Sequence, residues 1–219
     1  QRRLSPARRR RYTGGMPAAS PPPTELATAT ALPARFYAGE AAHVRDLRAV
    51  FGRSWQLVAR AEQLEAAGDH VVDTVGRLPV IVVRGADGEL RAFANVCRHR
   101  AGPLALCNGR GARALHCKYH GWSYTLEGQL RSAPEMQDAK DFDLSAIRLP
   151  ALRVASWQGL VFVCADEAAP AFEDVYGGIA ERIAPIDLAA LRFARRDHYD
   201  LACDWKVYVD NFLEGYHLP

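Results

Sequence analysis

The sequence predicts an α+β protein: a mostly antiparallel β domain in the middle of the chain, a helix before it, and the opening of a second α+β unit after it. Between residues 56 and 165, short runs rich in Val, Ile and Leu are cut repeatedly by turn residues, the pattern of a small β domain. On either side of that stretch, apolar residues recur at spacings of three and four, which is helical. The pattern changes at Ala168-Ala169-Pro170, where we set a domain boundary.

The elements follow in order. Residues 1–34 are rich in Arg and then in Pro, Ala and Thr, and read as a disordered lead-in. Met16 reads as the translation start, which would make 1–15 upstream sequence; a native basic arm is the alternative. Val44, Leu47, Phe51 and Trp55 predict one amphipathic helix within residues 35–55. Strands are expected at 56–60, 70–75, 78–84 and 89–95, the last two joined through Ala86-Asp87-Gly88, where Asp and Gly tolerate a positive φ. Further strands are expected at 112–117, 122–126, 148–154 and 159–165, with a turn at Glu127-Gly128. Beyond the boundary, 172–183 reads as helix, 192–201 as strand and 205–217 as helix, so that residues 166–219 open a second domain.

Composition narrows the function classes. The chain has 219 residues, 49% hydrophobic and 24% charged, which is ordinary for a globular protein. No apolar run approaches the ~20 residues of a spanning helix, so no membrane partner is expected. The net charge of +3 is carried by Arg2, Arg3, Arg8, Arg9, Arg10 and Arg11; without them the sign reverses. The body is slightly acidic and offers no footprint for nucleic acid. Lysine occurs only as Lys118, Lys140 and Lys206, and Ala is abundant, which fits a GC-rich bacterial genome. Five cysteines at uneven spacing, with no apolar signal segment, argue against a disulfide framework and for a cytoplasmic protein with metal-binding or free thiols.

Two Cys/His pairs carry the chemistry. Cys97-Arg98-His99 and Cys117-Lys118-Tyr119-His120 each follow an expected strand and enter a loop containing Gly102 or Gly121. Two Cys and two His suit either one tetrahedral zinc or a two-iron cluster. A single residue between Cys97 and His99 is tight for a zinc knuckle, whereas a cluster with two Cys on one iron and two His on the other can take one of each from each loop.

The segment Asn95-Val96-Cys97-Arg98-His99-Arg100-Ala101-Gly102, with Cys117-Lys118-Tyr119-His120-Gly121-Trp122-Ser123-Tyr124, closely resembles the Rieske iron–sulfur signature. The resemblance implies a [2Fe-2S] cluster with Cys97 and Cys117 on the buried iron and His99 and His120 on the outer, reducible one. Respiratory Rieske proteins add a disulfide-forming Cys to each loop. Gly102 and Tyr119 stand there in this sequence, which implies the lower-potential, oxygenase or ferredoxin type. Cys107 matches no ligand position and reads as a free thiol.

The second constellation is the run Asp204–His217. On a helix, Asp210, Glu214 and His217 share a face, as do Asn211 and Glu214, which for an isolated helix could be no more than a solvated stripe. After a Rieske domain it resembles the opening of the helix-grip catalytic domain of Rieske non-haem iron oxygenase α subunits. That resemblance makes His217 the first ligand of a mononuclear Fe(II). It makes Glu214, where the family usually has Asp, the carboxylate bridging to His120 across a subunit boundary of a homotrimer. Asn211 becomes a neighbouring hydrogen-bonding residue. The second His and the carboxylate of the triad would fall beyond Pro219, so the chain reads as an N-terminal fragment.

The function the resemblance implies is that of a terminal oxygenase. Electrons come from NAD(P)H through a reductase, with or without a ferredoxin, and O2 hydroxylates a small organic substrate: an aromatic ring, or a methyl group lost as N- or O-demethylation, with Glu214 pointing toward quaternary amines. A β subunit and the choice of mono- or dioxygenation stay open. Two other readings compete: a Rieske electron-transfer protein, which needs only about 100 residues and no Asn211/Glu214/His217 helix, and a zinc-stabilised binding module.

Overall fold

The computed structural model describes residues 30–136 and 138–213. Two antiparallel sheets form its centre. The larger has six strands: β1 (Gln56–Arg60), β2 (His70–Val75), β3 (Leu78–Arg84), β4 (Leu90–Ala94), β8 (Ala151–Trp157) and β9 (Leu160–Cys164), in the order β1-β9-β8-β4-β3-β2. The smaller comprises β5 (Leu115–His116), β6 (Ser123–Tyr124) and β7 (Leu130–Ser132).

Strand β3 explains how the two sheets are joined. Val80 and Val82 enter a core shared with Val58, Leu64, Val71, Val161 and Val163. Their neighbours Ile81 and Val83 enter another, shared with Phe93, Leu115, Trp122, Tyr124, Cys97 and Cys117. Successive side chains of a strand point to opposite faces. An uninterrupted apolar run is therefore what a strand buried on both sides requires. The β3–β4 hairpin turns as expected: Gly88 takes φ 85°, and Asp87 accepts from the Glu89 N–H and pairs with Arg91 at 2.6–2.7 Å.

Several boundaries differ from the sequence reading. The helix expected through Trp55 is α1, Glu40–Ala49, followed by a separate 3-10 turn at Phe51–Arg53. Gly52 disfavours helix by about 1 kcal/mol, and the Ser54 hydroxyl takes the Val50 carbonyl at 2.8 Å, an acceptor that a continuing helix would use. The strand expected from 148 begins at Ala151, because Pro150 has no N–H for the ladder. Strands expected at 112–117 and 122–126 shorten to two residues each, their inner ends drawn into loop closure. Strand β7 was not anticipated; it pairs with β6 through the turn at Glu127-Gly128.

The helix expected over 172–183 is two, α2 (Phe172–Tyr176) and α3 (Ile179–Ile183), separated by Gly177-Gly178, with Gly178 left-handed at φ 84°. The strand expected at 192–201 does not form. That exposed segment is tied down by side chains, not by a ladder: the Phe193 N–H donates to Glu62, and Arg196 reaches Asp73 at 2.9 Å and the Val58 carbonyl at 3.1 Å. Helix α4 is described over Trp205–Leu213. Glu214 and His217 lie outside the described residues. Among the described residues no helix is long and apolar enough to cross a membrane.

Candidate metal-cluster site

The four Cys/His residues lie on two touching loops with the same hydrogen-bond closure. In the first, the Cys97 N–H donates to the Gly102 carbonyl at 2.8 Å, and the Ala101 N–H to the Cys97 carbonyl at 3.0 Å. In the second, the Cys117 N–H donates to Trp122 at 2.8 Å, and the Gly121 N–H to Cys117 at 3.1 Å. Each closure needs a left-handed residue at its fifth position: Ala101 at φ 53° and Gly121 at φ 73°. The loops also touch, the Lys118 N–H donating to Pro103. Buried Asn95 fixes the return of the first loop, accepting from Leu104 and Ala105 and donating to the Ala105 carbonyl at 2.8 Å.

Burial divides the ligands by type. Cys97 and Cys117 are each 4% exposed in the β3-walled core, while His99 and His120 are exposed. The two imidazole centroids are 4.7 Å apart. His99 lies flat on buried Trp122 (4.9 Å, 11°), and His120 stacks on the exposed Tyr119 ring (3.7 Å). Desolvation, with His120 and Arg100 nearby, holds His99 below the usual imidazole range, favouring the neutral form that binds metal. Behind the thiols sits Tyr124, fully buried; its oxygen accepts from the Arg98 N–H at 3.0 Å and lies 3.2 Å from the Cys97 Sγ. Burial and that thiol push the Tyr124 hydroxyl well above its usual pKa, so it keeps its proton and can donate it to sulfur.

This arrangement fits a two-iron cluster. Two thiols within the core and two imidazoles at its edge divide the donors two and two. Among the described residues no three His, Cys, Asp or Glu side chains, the four of the loops included, are already set as ligands of a metal ion, so the fit rests on the burial of the thiols and the pairing of the loops. Gly102 lets the two loops approach closely, since a Cβ there would stand 2.9 Å from the Cys117 sulfur.

The second candidate group is separate. Asn211 lies on α4, and the contacts of α4 run to the N-terminal segment: Tyr37 donates to Asp210 at 2.7 Å, and Trp205 and Lys206 bond Asp46 of α1. The structure does not bring Asn211 to the cluster loops within this chain, and it does not describe Glu214 or His217. The sequence reading missed Tyr37 and Asp46, and it named Tyr124 only as the end of the Rieske-like segment, without its bond to Cys97.

Comparison with known proteins agrees with this geometry. Residues 54–151 match the Rieske [2Fe-2S] domain, and residues 188–219 match the ring hydroxylating alpha subunit catalytic domain. Over both segments the chain is similar to Rieske oxygenase α subunits. The second match goes against a Rieske protein that only relays electrons, because it falls on the segment such a protein would lack. Among Rieske oxygenases, the chain is 34% identical over 188 residues to the carnitine monooxygenase oxygenase subunit of Escherichia coli K12, covering 85% of this chain and 50% of that protein. It is 33% identical over 193 residues to the chloroplastic choline monooxygenase of Beta vulgaris, covering 85% and 43%. In structure it resembles the quaternary ammonium Rieske monooxygenase CntA in complex with L-carnitine, with a TM-score of 0.79 and 33% identity, over 84% of this chain and 53% of that one. The chain spans about half the length of the curated relatives it matches.

Proposed function

We propose that the chain is the cluster-bearing part of a terminal oxygenase that hydroxylates a quaternary ammonium compound, the methyl or methylene carbon beside nitrogen being the site of attack. The observation that carries this reading is the pair of like-closed loops that present Cys97, His99, Cys117 and His120 ahead of a catalytic-domain helix. In this reading Cys97 and Cys117 hold the inner iron of a [2Fe-2S] cluster, and His99 and His120 the outer one. His217 contributes to a mononuclear Fe(II). When bound, these groups supply one-electron transfer and the reduction of O2. The residues would do the rest: the buried thiols would keep the inner iron dry, exposed His120 would present the edge of the outer one, and Glu214 would accept a hydrogen bond from His120 and link it to His217. Asn211 supplies a hydrogen bond beside that carboxylate.

Partners follow from the same reading: an NAD(P)H-dependent reductase, with or without a ferredoxin, and a homotrimer in which His120 of one copy meets Glu214 of the next. We divide the chain into a helical segment (35–55) that packs with the catalytic part, a Rieske domain (56–165), and the start of the catalytic domain (166–219). The setting is the bacterial cytoplasm. Substrates in the relatives' names, carnitine and choline, support the quaternary amine class, and so does Glu in place of Asp at 214; aromatic rings are the runner-up.

The test couples the oxygenase to a reductase and NADH and measures O2 uptake and product with carnitine, choline, glycine betaine and an aromatic acid. Turnover of a quaternary amine alone is expected. Turnover of the aromatic acid alone, or of none, overturns the substrate class. Glu214→Gln should leave both metals bound and slow oxidation of the cluster in a single turnover.

A further inference from the structure

The helix that leads into Glu214 and His217 is held from outside the Rieske domain, by the segment that precedes it. Asp46 of α1 is 6% exposed and receives Trp205 Nε1 at 3.1 Å and the Lys206 ammonium. Lys206 also meets Asp204 at 2.8 Å and lies over the rings of Trp205 (5.1 Å) and Tyr37 (5.9 Å). The Trp205 ring packs edge-on against Phe51 at 5.1 Å. This anchors the first turn of α4. A single anchor leaves a helix free to swing about it, and a second contact, one turn later, removes that freedom. Tyr37 supplies it: its hydroxyl donates to Asp210 Oδ2 at 2.7 Å. Asp210 shares the helix face expected to carry the iron-site residues, yet its carboxylate is already engaged. Leu213, the last described residue of α4, is followed directly by Glu214.

We infer that Tyr37 and Asp46 are positioning residues for the iron site: they fix the tilt and rotation of α4 and so determine where the chain delivers Glu214 and His217. The inference rests on the proposed oxygenase function. It gives residues 35–53, which lie outside the matched Rieske and catalytic-domain segments, a task in electron transfer between the two metal centres. Neither residue touches the cluster loops, so the effect must run through α4.

Tyr37→Phe tests it, because it removes one hydroxyl and keeps the ring over Lys206. In the oxygenase with both centres loaded, the melting midpoint, the EPR spectrum of the reduced cluster and its potential should match wild type. Amide exchange across Trp205–Leu213 should quicken. Re-oxidation of the pre-reduced cluster by O2 and substrate should slow by about 10- to 100-fold, the range expected when a reacting group is misplaced by up to ~1 Å. Re-oxidation and exchange at wild-type rates would overturn the inference. Asp46→Asn should act alike through the other end of the helix; if it does not fold, Tyr37→Phe decides alone. Should wild type itself fail to re-oxidise its cluster with substrate, the oxygenase reading falls, and the exchange of α4 in Tyr37→Phe still decides whether Tyr37 holds the helix.

Discussion

Gly102 and Cys117 lie on different loops, yet a Cβ on Gly102 would stand 2.9 Å from the Cys117 sulfur and 3.0 Å from the Tyr119 Cβ. The closeness of the loops is therefore conditional on a missing side chain. Gly102→Ala should leave the sheets folded but push the second loop outward, and we expect cluster content after reconstitution to fall several-fold. Iron per chain, together with the visible absorbance of the reconstituted protein, checks this. Full occupancy in the variant would show that the loops yield freely.

Tyr124 gives a cleaner readout, because it changes the cluster without displacing a ligand. Hydrogen bonds to ligating sulfurs raise the potential of an iron–sulfur centre. Tyr124→Phe removes the bond to Cys97 and leaves the Arg98 N–H without its acceptor. The expected result is a retained cluster with a lower potential, read by redox titration. The folded state should lose about 1–3 kcal/mol for the stranded donor.

The two loop closures invite a paired experiment. Both use a left-handed residue, but one is Ala101 and the other Gly121. A Cβ at Gly121 meets only Pro134, at an ordinary 3.6 Å, so Gly121→Ala should cost backbone strain alone, about 1–2 kcal/mol. Ala101→Gly relieves that strain but frees the unfolded chain by ~0.5–1 kcal/mol, so it should be close to neutral. Denaturant midpoints of the two variants check the asymmetry; an equal effect at both positions would mean that the like closures differ in ways the dihedral angles do not show.

Two buried carboxylates set the acid limit. Burial alone would raise Asp46 and Asp69. For Asp46 the bonds from Lys206 and Trp205 outweigh it, and for Asp69 those from the Ala66 and Gly111 N–H groups and Arg110 do, so both lie below the ordinary carboxylate value. A depressed folded-state pKa means stability that is fully present above the unfolded value of about 4 and lost as pH falls through the lower, folded one. The carboxylate contribution to the melting midpoint should stay constant from neutral pH to about 5 and be lost below about 4, whereas His99, held below the usual imidazole value, lowers stability already as pH falls under about 6.5. Asp69→Asn should flatten part of the carboxylate loss.

What the sequence revealed followed the range of each interaction. Val80–Val83 was legible as a strand because burial on both faces leaves no polar residue in the run, and Cys97, His99, Cys117 and His120 were legible because ligand chemistry restricts residue type and spacing together. The break at Gly177-Gly178 is written in the residues, two adjacent glycines within the stretch expected as one helix. The segment 192–201 was expected as a strand, but its backbone and side chains are claimed by Glu62, Asp73 and the Val58 carbonyl far away in the chain. Tyr37 and Asp210 are separated by 173 positions, and nothing local in either marks the other.

Strand β3 carries one more implication. Its even-numbered positions, Val80 and Val82, look into the packing between the large sheet's strands, and its odd-numbered ones, Ile81 and Val83, look toward the thiols. Neighbouring codons thus differ in reach: a methyl group lost at any of these buried positions costs stability, and at 81 or 83 the same change also alters the packing of the core that holds Cys97 and Cys117. Variation at 81 or 83 therefore tests the frame and the surroundings of the thiols together, whereas variation at 82 tests the frame alone.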